Sequence, residues 1–572
     1  MTTITQPPAQ VSFSANKFCG NRDTEDGEIR ELVQRHLRPD CQAVCELATP
    51  NATAICDMAT KLAKIIATDL EARFSQAARG KGDGNNPLSA YAKSVLPWTG
   101  YSKSTNTRSK VDTKSSDLDA EYIVPCYESL LLFVAHHVKA FVTQQAKAGH
   151  INPANCRLIL PVTDESMETV CVNGVDDSKE LVRTMCGMFP FDCTVSSQAA
   201  PAPHLLVASA EIVTSQDEFE EAVLRLTKET KAFYFTQHNR RFAWGLTVCR
   251  RNIRTYVFGD NGAWSSRDMD VASASGRRAF ISLLVNWSLC SVDRLGFDPS
   301  ICCAFDSDSG RPYFEIDVHE KNASTGKVAS RTYFSARCVG VAAANLTGRH
   351  ARYFAASDSF ETMDNPTVMI KDMWMPMTNR DHPGETGDER SILDVLNAAF
   401  DSDSEFDNKF PQLVSTGPVY LCRGDEFVED TTATALAGLL LDSKHATTAA
   451  SSSNARGPSG RHHIRTVMNW AGDTVSAANN ANQVVIAIAD AMTALSAAHK
   501  KCNIVHGNIS DRAILFQVTT GGVKGALAEF DYATYANCSA HAAHRDLPEL
   551  TMFQSIRSLE SAAAPRSPLD DW

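Results

Sequence analysis

The sequence predicts an α+β protein of more than one domain, and three observations support this fold class. The chain has 572 residues, more than one hydrophobic core normally organises. Hydrophobic residues make up 43% and charged residues 21% of it, which is the balance of a folded, soluble protein. From residue 121 onward, short β-type runs alternate with helical patterns, which is typical of mixed sheets and helices.

Charge and targeting signals narrow the possible partners. The formal net charge of -12 gives no overall attraction to nucleic acid or to an anionic membrane, so neither is an expected partner. The N-terminus lacks the basic start and apolar run of a secretory signal, and no run of about 18 apolar residues could span a bilayer. We therefore expect a cytoplasmic or nuclear protein.

The 17 cysteines include no Cys-x-x-Cys pair, so zinc-site spacing is absent from the sequence.

The N-terminal part predicts helices and a linker. Residues 1–27 are polar and interrupted by Pro and Gly, which favours a disordered tail. Residues 28–78 are predicted as a helical segment, because an apolar stripe at three- and four-residue steps runs through 53–74. Residues 79–120 are rich in Gly, Asn, Ser, Thr and Lys, which predicts a flexible linker.

Residues 121–310 predict a compact α+β region. Helices are expected at 127–147, 215–230 and 276–288, and strands at 157–161, 205–210, 242–249 and 253–258. Within it, Glu211 and the upstream Asp192 show a faint similarity to the carboxylates of restriction-endonuclease-like folds. Val213 stands where the lysine that aids a water nucleophile belongs. A remnant nuclease-like N-terminal domain is therefore one alternative for the function.

Residues 311–425 and 426–572 predict a strand-rich part followed by a helical part. The composition of residues 443–461 cannot form a core, so a flexible loop is expected there. The remaining expected elements are strands over 314–370, helices at 388–399 and 483–500, and a hairpin of 514–518 with 525–528.

The segment after the last long helix contains side chains that could take part in a reaction. His506-Gly507-Asn508 opens a loop, and Glu529-Phe530-Asp531 follows the predicted hairpin. In shape this is the catalytic segment of a protein kinase, in which a His-Arg-Asp turn with a downstream Asn precedes a metal-binding Asp-Phe-Gly. Three positions differ. Asn508 replaces the catalytic-base Asp, Ala513 replaces the metal-holding Asn, and Glu529 replaces the metal-binding Asp.

From about residue 200 to its end, the chain resembles the fungal-type protein kinase family. The likeness is carried, in order, by segments 240–247, 295–299, 368–374, 506–516, 525–533 and 569–572. The resemblance implies a bilobal protein-kinase-like fold, preceded by a mixed α+β domain and an N-terminal helical region. Its N-lobe would be 311–425 and its C-lobe 426–572. We expect the C-lobe to be truncated, because the chain stops where the central helix of that lobe would begin.

The resemblance also implies a reaction, the transfer of the ATP γ-phosphate to Ser or Thr of a protein, with ATP and Mg²⁺ as cofactors. Lys371 is then the nucleotide lysine, with Glu389 as its best partner and Glu385 as the second. Gly340 and Gly348 flank the candidate phosphate-covering loop. They do not form a Gly-x-Gly-x-x-Gly pattern, and a plain turn between strands is the alternative.

The altered loop predicts impaired chemistry. His506 is expected beneath the site in a structural role. Asn508 can orient an acceptor hydroxyl but cannot take its proton, which forfeits about 10²- to 10⁴-fold of general-base help. Glu529 keeps a carboxylate that could hold one Mg²⁺ weakly. We therefore predict a pseudokinase-like binding or regulatory module with an unidentified protein partner. The alternative is an active kinase that uses Glu529 for Mg²⁺ and Asp511 in a rearranged loop.

Overall fold

The computed structural model describes most of the chain between residues 37 and 536. The described residues are 37–38, 53–78, 87–95, 120–163, 183–190, 206–259, 262–322, 324–342, 349–376, 389–401, 403–406, 409–423, 426–436, 460–469 and 472–536. They form two compact units. The N-terminal unit takes the described residues up to Pro299 together with 432–436, and the C-terminal unit takes those of Ser300–Thr431 and 460–536.

The N-terminal unit contains an eight-stranded mixed sheet with the order β1-β7-β6-β5-β4-β3-β2, in which β8 also pairs with β6. Its strands are β1 (Leu37–Arg38), β2 (Arg157–Thr163), β3 (Arg183–Pro190), β4 (Leu206–Val213), β5 (Ala243–Cys249), β6 (Asn252–Gly259), β7 (Gly262–Ser265) and β8 (Met269–Asp270). Its helices are α1 (Thr53–Ala78), α2 (Pro87–Val95), α3 (Ala120–Lys147), α4 (Phe219–Thr236) and α5 (Ala274–Leu289), with one further turn at Thr432–Ala435. Every residue of β4 and β5 is buried, as expected for strands covered on both faces.

Most of these elements lie where the sequence predicts them. Strand β3 was not predicted, and α2 is the other main difference. It falls inside the predicted flexible linker 79–120. Ala92 and Val95 are fully buried, and the Cys126 thiol of α3 donates to the Ser94 carbonyl oxygen. A single apolar face therefore orders this stretch despite its polar composition. The predicted tail 1–27 lies outside the described residues, and β1 falls in the segment predicted to be helical.

The C-terminal unit begins with a seven-stranded antiparallel sheet of order β14-β17-β13-β12-β11-β10-β9. Its strands are β9 (Ile301–Phe305), β10 (Pro312–Lys321), β11 (Val328–Ala342), β12 (Ala351–Ser357), β13 (Val368–Pro376), β14 (Leu413–Pro418) and β17 (Arg461–Asn469). A separate hairpin joins β15 (Tyr420–Arg423) to β16 (Glu426–Glu429). The predicted domain boundary at residue 310 falls inside this sheet, because Ile301 pairs with Ile316 and shares its buried core.

The sheet is followed by helices and a second hairpin. These are α6 (Glu389–Phe400), α7 (Ala481–Cys502), β18 (Asp473–Thr474), β19 (Ile504–Val505), β20 (Ile514–Thr519), β21 (Gly522–Leu527) and β22 (Thr534–Tyr535). One core joins them, with Leu396 of α6, Leu495 of α7 and Phe530 all buried in it. The predicted loop 443–461 lies almost entirely outside the described residues.

Helix α7 leads directly into the loop that contains His506. The Asn480 side chain caps its start by accepting from the Gln483 amide, and Asn503 ends it in the left-handed conformation. By length and composition alone, α7 is apolar enough to cross a membrane. Ala494 and Leu495 of this helix are buried in the core of the C-terminal unit, and Val485, Ile488 and Met492 are exposed.

Candidate active site

Lys371 lies on β13 and is almost fully buried, with 1% of its side chain exposed. Its Nζ is 3.0 Å from both Oε1 and Oε2 of Glu389, the first residue of α6. The same Nζ also donates to Oδ2 of Asp531. The structure thus brings together the predicted pair of Lys371 and Glu389, which lie 18 residues apart in the chain. It adds a second carboxylate that the sequence analysis did not include.

Asp531 is the first site residue that sequence reasoning missed. It stands at the position of a kinase glycine, and the resemblance suggested no function for it. In the structure Asp531 is buried, and Arg349 contributes a second cation, with Nη1 at 3.5 Å from Asp531 Oδ2. The Arg349 guanidinium also lies 3.7 Å from the ring centroid of Tyr532. The signal in the sequence was an acidic residue directly after Phe530, where a kinase has glycine.

The charges of this cluster shift one another's pKa values. Burial lowers the pKa of Lys371, but the Asp531 and Glu389 carboxylates outweigh burial and raise it above its usual value. Burial and the Asp531 carboxylate raise the pKa of Glu389 to about 8. Burial also acts on Asp531, yet Lys371 and Arg349 lower its pKa to about 2. Asp531 is therefore the firmly ionised partner of Lys371, and Glu389 gains a proton more readily than an exposed glutamate.

Glu529 lies on the other side of the cluster, after β21. Its backbone is in the left-handed conformation, with φ of 63°. Its Oε1 accepts from the Tyr353 hydroxyl at 2.6 Å, and its Oε2 accepts from the Asn508 side-chain amide at 3.4 Å. Both oxygens of the predicted metal carboxylate thus already have protein donors. Tyr353 is the second residue that the sequence analysis missed.

His506 has a structural position under the loop. It is fully buried, and its Nε2 donates to the Ala528 carbonyl oxygen at 2.7 Å. Its Nδ1 accepts from the backbone amide of Asn508 at 3.2 Å, which fixes the neutral form of the ring. The ring also packs on Phe530, with centroids 4.6 Å apart. This geometry sets the position of Asn508.

Ala513 occupies the place of a metal-binding amide without replacing its chemistry. Its side chain is fully buried, and its carbonyl oxygen accepts from the Ala528 amide at 2.8 Å. A methyl group offers no ligand to a cation. Asp511, the alternative base, lies in the turn before it and is half-buried.

The predicted phosphate-covering loop is described only at its start. Gly340 lies on β11 and is paired with Tyr353 of β12, which in turn is paired with Lys371 of β13. Gly348 lies outside the described residues, as does Glu385. The three neighbouring strands therefore place Gly340, Tyr353 and Lys371 in one row across the sheet.

The face of the sheet that carries Lys371 packs on the hairpin of β20 and β21. Met369 precedes Lys371 by two residues, so both side chains point to the same face. Met369 is buried in one cluster with Leu515 of β20 and Ala526 of β21, and Tyr353 packs against this cluster. Direct apolar contact thus joins the two layers beside the charged cluster.

The ligand set for Mg²⁺ is incomplete. A kinase holds its metal with an acidic residue and an amide on the catalytic loop. Glu529 provides one carboxylate, both of whose oxygens accept hydrogen bonds, and Ala513 provides nothing. This chain keeps one side-chain ligand where an active kinase has two, and a single carboxylate fits a weakly held Mg²⁺.

The nuclease alternative depends on Glu211, which lies on β4 and is buried. Its Oε2 accepts from the Arg225 guanidinium at 2.7 Å. A carboxylate held inside a sheet by a buried arginine has a structural function and is not an open metal ligand. Asp192 lies outside the described residues.

A family model described as fungal protein kinase matches residues 203–567, well over half of the chain. This range includes every residue of the charged cluster, and it begins in the N-terminal unit just before β4. No curated protein matches the chain.

Proposed function

Because the chain belongs to the fungal protein kinase family, we propose that it is a kinase-like protein with impaired phosphotransferase activity that acts as a binding or regulatory module. The observation that carries this proposal is the position of Asn508. Its amide donates to Glu529 at 3.4 Å, where a kinase needs a carboxylate to take the proton of the acceptor hydroxyl. An amide donates a hydrogen bond there and accepts no proton.

Phosphoryl transfer depends on positioning and on charge, and three losses reinforce one another here. The missing base removes about 10²- to 10⁴-fold in rate. The missing ligand at Ala513 removes one of the two protein groups that hold the metal ions. The Lys371 ammonium, which would meet the nucleotide phosphates, also donates to the carboxylate of Asp531, a residue that stands at the position of a kinase glycine.

An active kinase is the second candidate, and one observation favours it. Activity in this fold requires the ion pair between the strand lysine and the helix glutamate, and Lys371 and Glu389 form that pair at 3.0 Å. In this alternative Glu529 holds Mg²⁺ and Asp511 acts as the base after a rearrangement of the loop. The proposed partner is a protein in the cytoplasm or nucleus in either case, in keeping with the net charge of -12.

The test is incorporation of labelled γ-phosphate from ATP, with Mg²⁺ or Mn²⁺, into the full chain itself and into a general acceptor protein. We expect the wild type to incorporate no more label than Lys371→Met. The restoring variant Asn508→Asp, with Asn508→Ala as its matched control, shows whether the base is what limits transfer. Lys371-dependent labelling by the wild type would overturn the proposal and favour the active kinase.

A further inference from the structure

Tyr353 forms contacts that phosphoryl transfer does not need. It lies in the middle of β12, between Gly340 on β11 and Lys371 on β13. Its hydroxyl donates to Glu529 Oε1 at 2.6 Å, and its ring centroid is 5.9 Å from Lys371 Nζ. One side chain thus contacts the candidate glycine strand, the nucleotide lysine and the metal carboxylate.

These three groups define where the phosphates of a nucleotide lie in a kinase. The glycine-rich loop covers them, the strand lysine pairs with them, and the metal held by the acidic residue bridges them. A Cβ added to Gly340 would lie 3.4 Å from Cδ2 of Tyr353, so the ring packs directly beside this glycine. The ring therefore fills the space that the phosphates would need.

Both carboxylate oxygens of Glu529 have protein hydrogen-bond donors without a ligand. Its Oε1 accepts from the Tyr353 hydroxyl, and its Oε2 accepts from the Asn508 side-chain amide. The Tyr353 ring is also supported by the apolar cluster of Met369 and Leu515.

We propose that Tyr353 is a plug that occupies the phosphate and metal face of the cleft, so that Mg²⁺ and a nucleoside triphosphate enter only when its hydrogen bond to Glu529 breaks. The proposal rests on the kinase-like assignment of Lys371 and Glu529 under the proposed function. It adds to the proposed function an explanation of how access of Mg²⁺ and nucleotide to that site is controlled. It concerns binding alone and not transfer, which makes it separately testable.

The experiment measures the affinity of the full chain for ATP in the presence of Mg²⁺ by titration calorimetry. Tyr353→Leu keeps apolar packing but cannot reach Glu529, and Tyr353→Phe keeps the ring and loses only the hydroxyl. We expect Tyr353→Leu to bind at least tenfold more tightly than the wild type and Tyr353→Phe to lie between them. Tyr333→Leu is the matched control, because Tyr333 is a buried tyrosine of β11 whose guanidinium neighbour is Arg331, and its affinity should equal that of the wild type.

Binding of Mn²⁺ alone, followed by electron paramagnetic resonance, gives a second measurement that does not depend on nucleotide. Tyr353→Phe frees one oxygen of Glu529, so we expect it to bind Mn²⁺ more tightly than the wild type. Tight ATP binding by the wild type would overturn the plug, and so would a failure of both Tyr353 variants to bind ATP or Mn²⁺ more tightly than the wild type. If Tyr353→Leu binds and also transfers phosphate in a Lys371-dependent way, the plug stands and the proposed impairment fails.

Discussion

Replacement of Lys371 by methionine, the usual way to inactivate a kinase-like cleft, is expected to weaken this fold as well as remove a charge. The Lys371 side chain is 1% exposed and donates to both Glu389 and Asp531. Methionine fills the space of the stem but leaves Asp531 with Arg349, at 3.5 Å, as its neighbouring cation. Removal of one partner from a buried ion pair costs about 3–5 kcal/mol.

The carboxylates of Glu389 and Asp531 contribute differently to this loss of folding stability. Glu389, with its pKa raised to about 8, takes up a proton readily once Lys371 is gone. Asp531 loses the Lys371 ammonium that lowers its pKa most, so it is left buried with Arg349 as its one neighbouring cation among the described residues. We therefore expect a loss of about 3 kcal/mol for Lys371→Met, and a recovery of about 2 kcal/mol when Asp531→Asn is added, because the amide leaves no unpaired charge.

The assay must report on the C-terminal unit, because a chain with two units need not unfold in one step. Native-state hydrogen exchange, read by mass spectrometry on peptides of β13 and α6, gives the local free energy of opening. Arg311→Met is the control, since Arg311 forms an exposed pair with Asp364 at 3.0 Å and its loss should not be measurable. Equal protection in the single and the double Lys371 variants would refute the reasoning.

Two further changes test the raised pKa of Glu389 and the backbone after β17. The folded pKa of Glu389 is about 8 against an ordinary 4.5, so the protonated form favours folding, and its contribution is present below about 4.5 and lost as the pH rises through about 8. Thermal unfolding should show the wild type losing stability relative to Glu389→Gln across that window, and a difference independent of pH would contradict the shift. Gly472 has φ of +123°, and a Cβ there would lie 1.8 Å from a carbonyl oxygen of β20. Urea unfolding should therefore show Gly472→Ala to be destabilised by on the order of 3 kcal/mol. Gly521→Ala, whose Cβ would make only an ordinary contact at 3.7 Å with the Thr519 hydroxyl, should be close to wild type.

The sequence predicts a helix or strand correctly where the residue pattern of that element alone is enough to define it. The predicted α+β class and the predicted fungal-type kinase family are both confirmed. Helix α7 follows from its apolar spacing, and the hairpin of β20 and β21 follows from strand propensity around Gly521. Helix α2 was missed because its polar surroundings hid a short apolar face.

Only the site residues that lie in recognisable sequence motifs could be predicted. Lys371, Asn508 and Glu529 could be placed because each stands in a recognisable segment. Tyr353 and Asp531 could not, because their importance depends on long-range pairing. The row of Gly340, Tyr353 and Lys371 exists only through the register of three strands, which no local pattern specifies.

Strand β9 is the last strand of the seven-stranded sheet among the described residues, and this has a consequence for the protein at high concentration. Another chain can approach a sheet along its edge strand, and Phe305 at the end of β9 is 53% exposed. Cys302 is also exposed on this strand. Burial and the carboxylates of Glu315 and Asp317 raise the pKa of the Cys302 thiol. The thiol therefore stays protonated and reacts slowly with oxidants, so copies that meet along this edge should form few disulfide crosslinks.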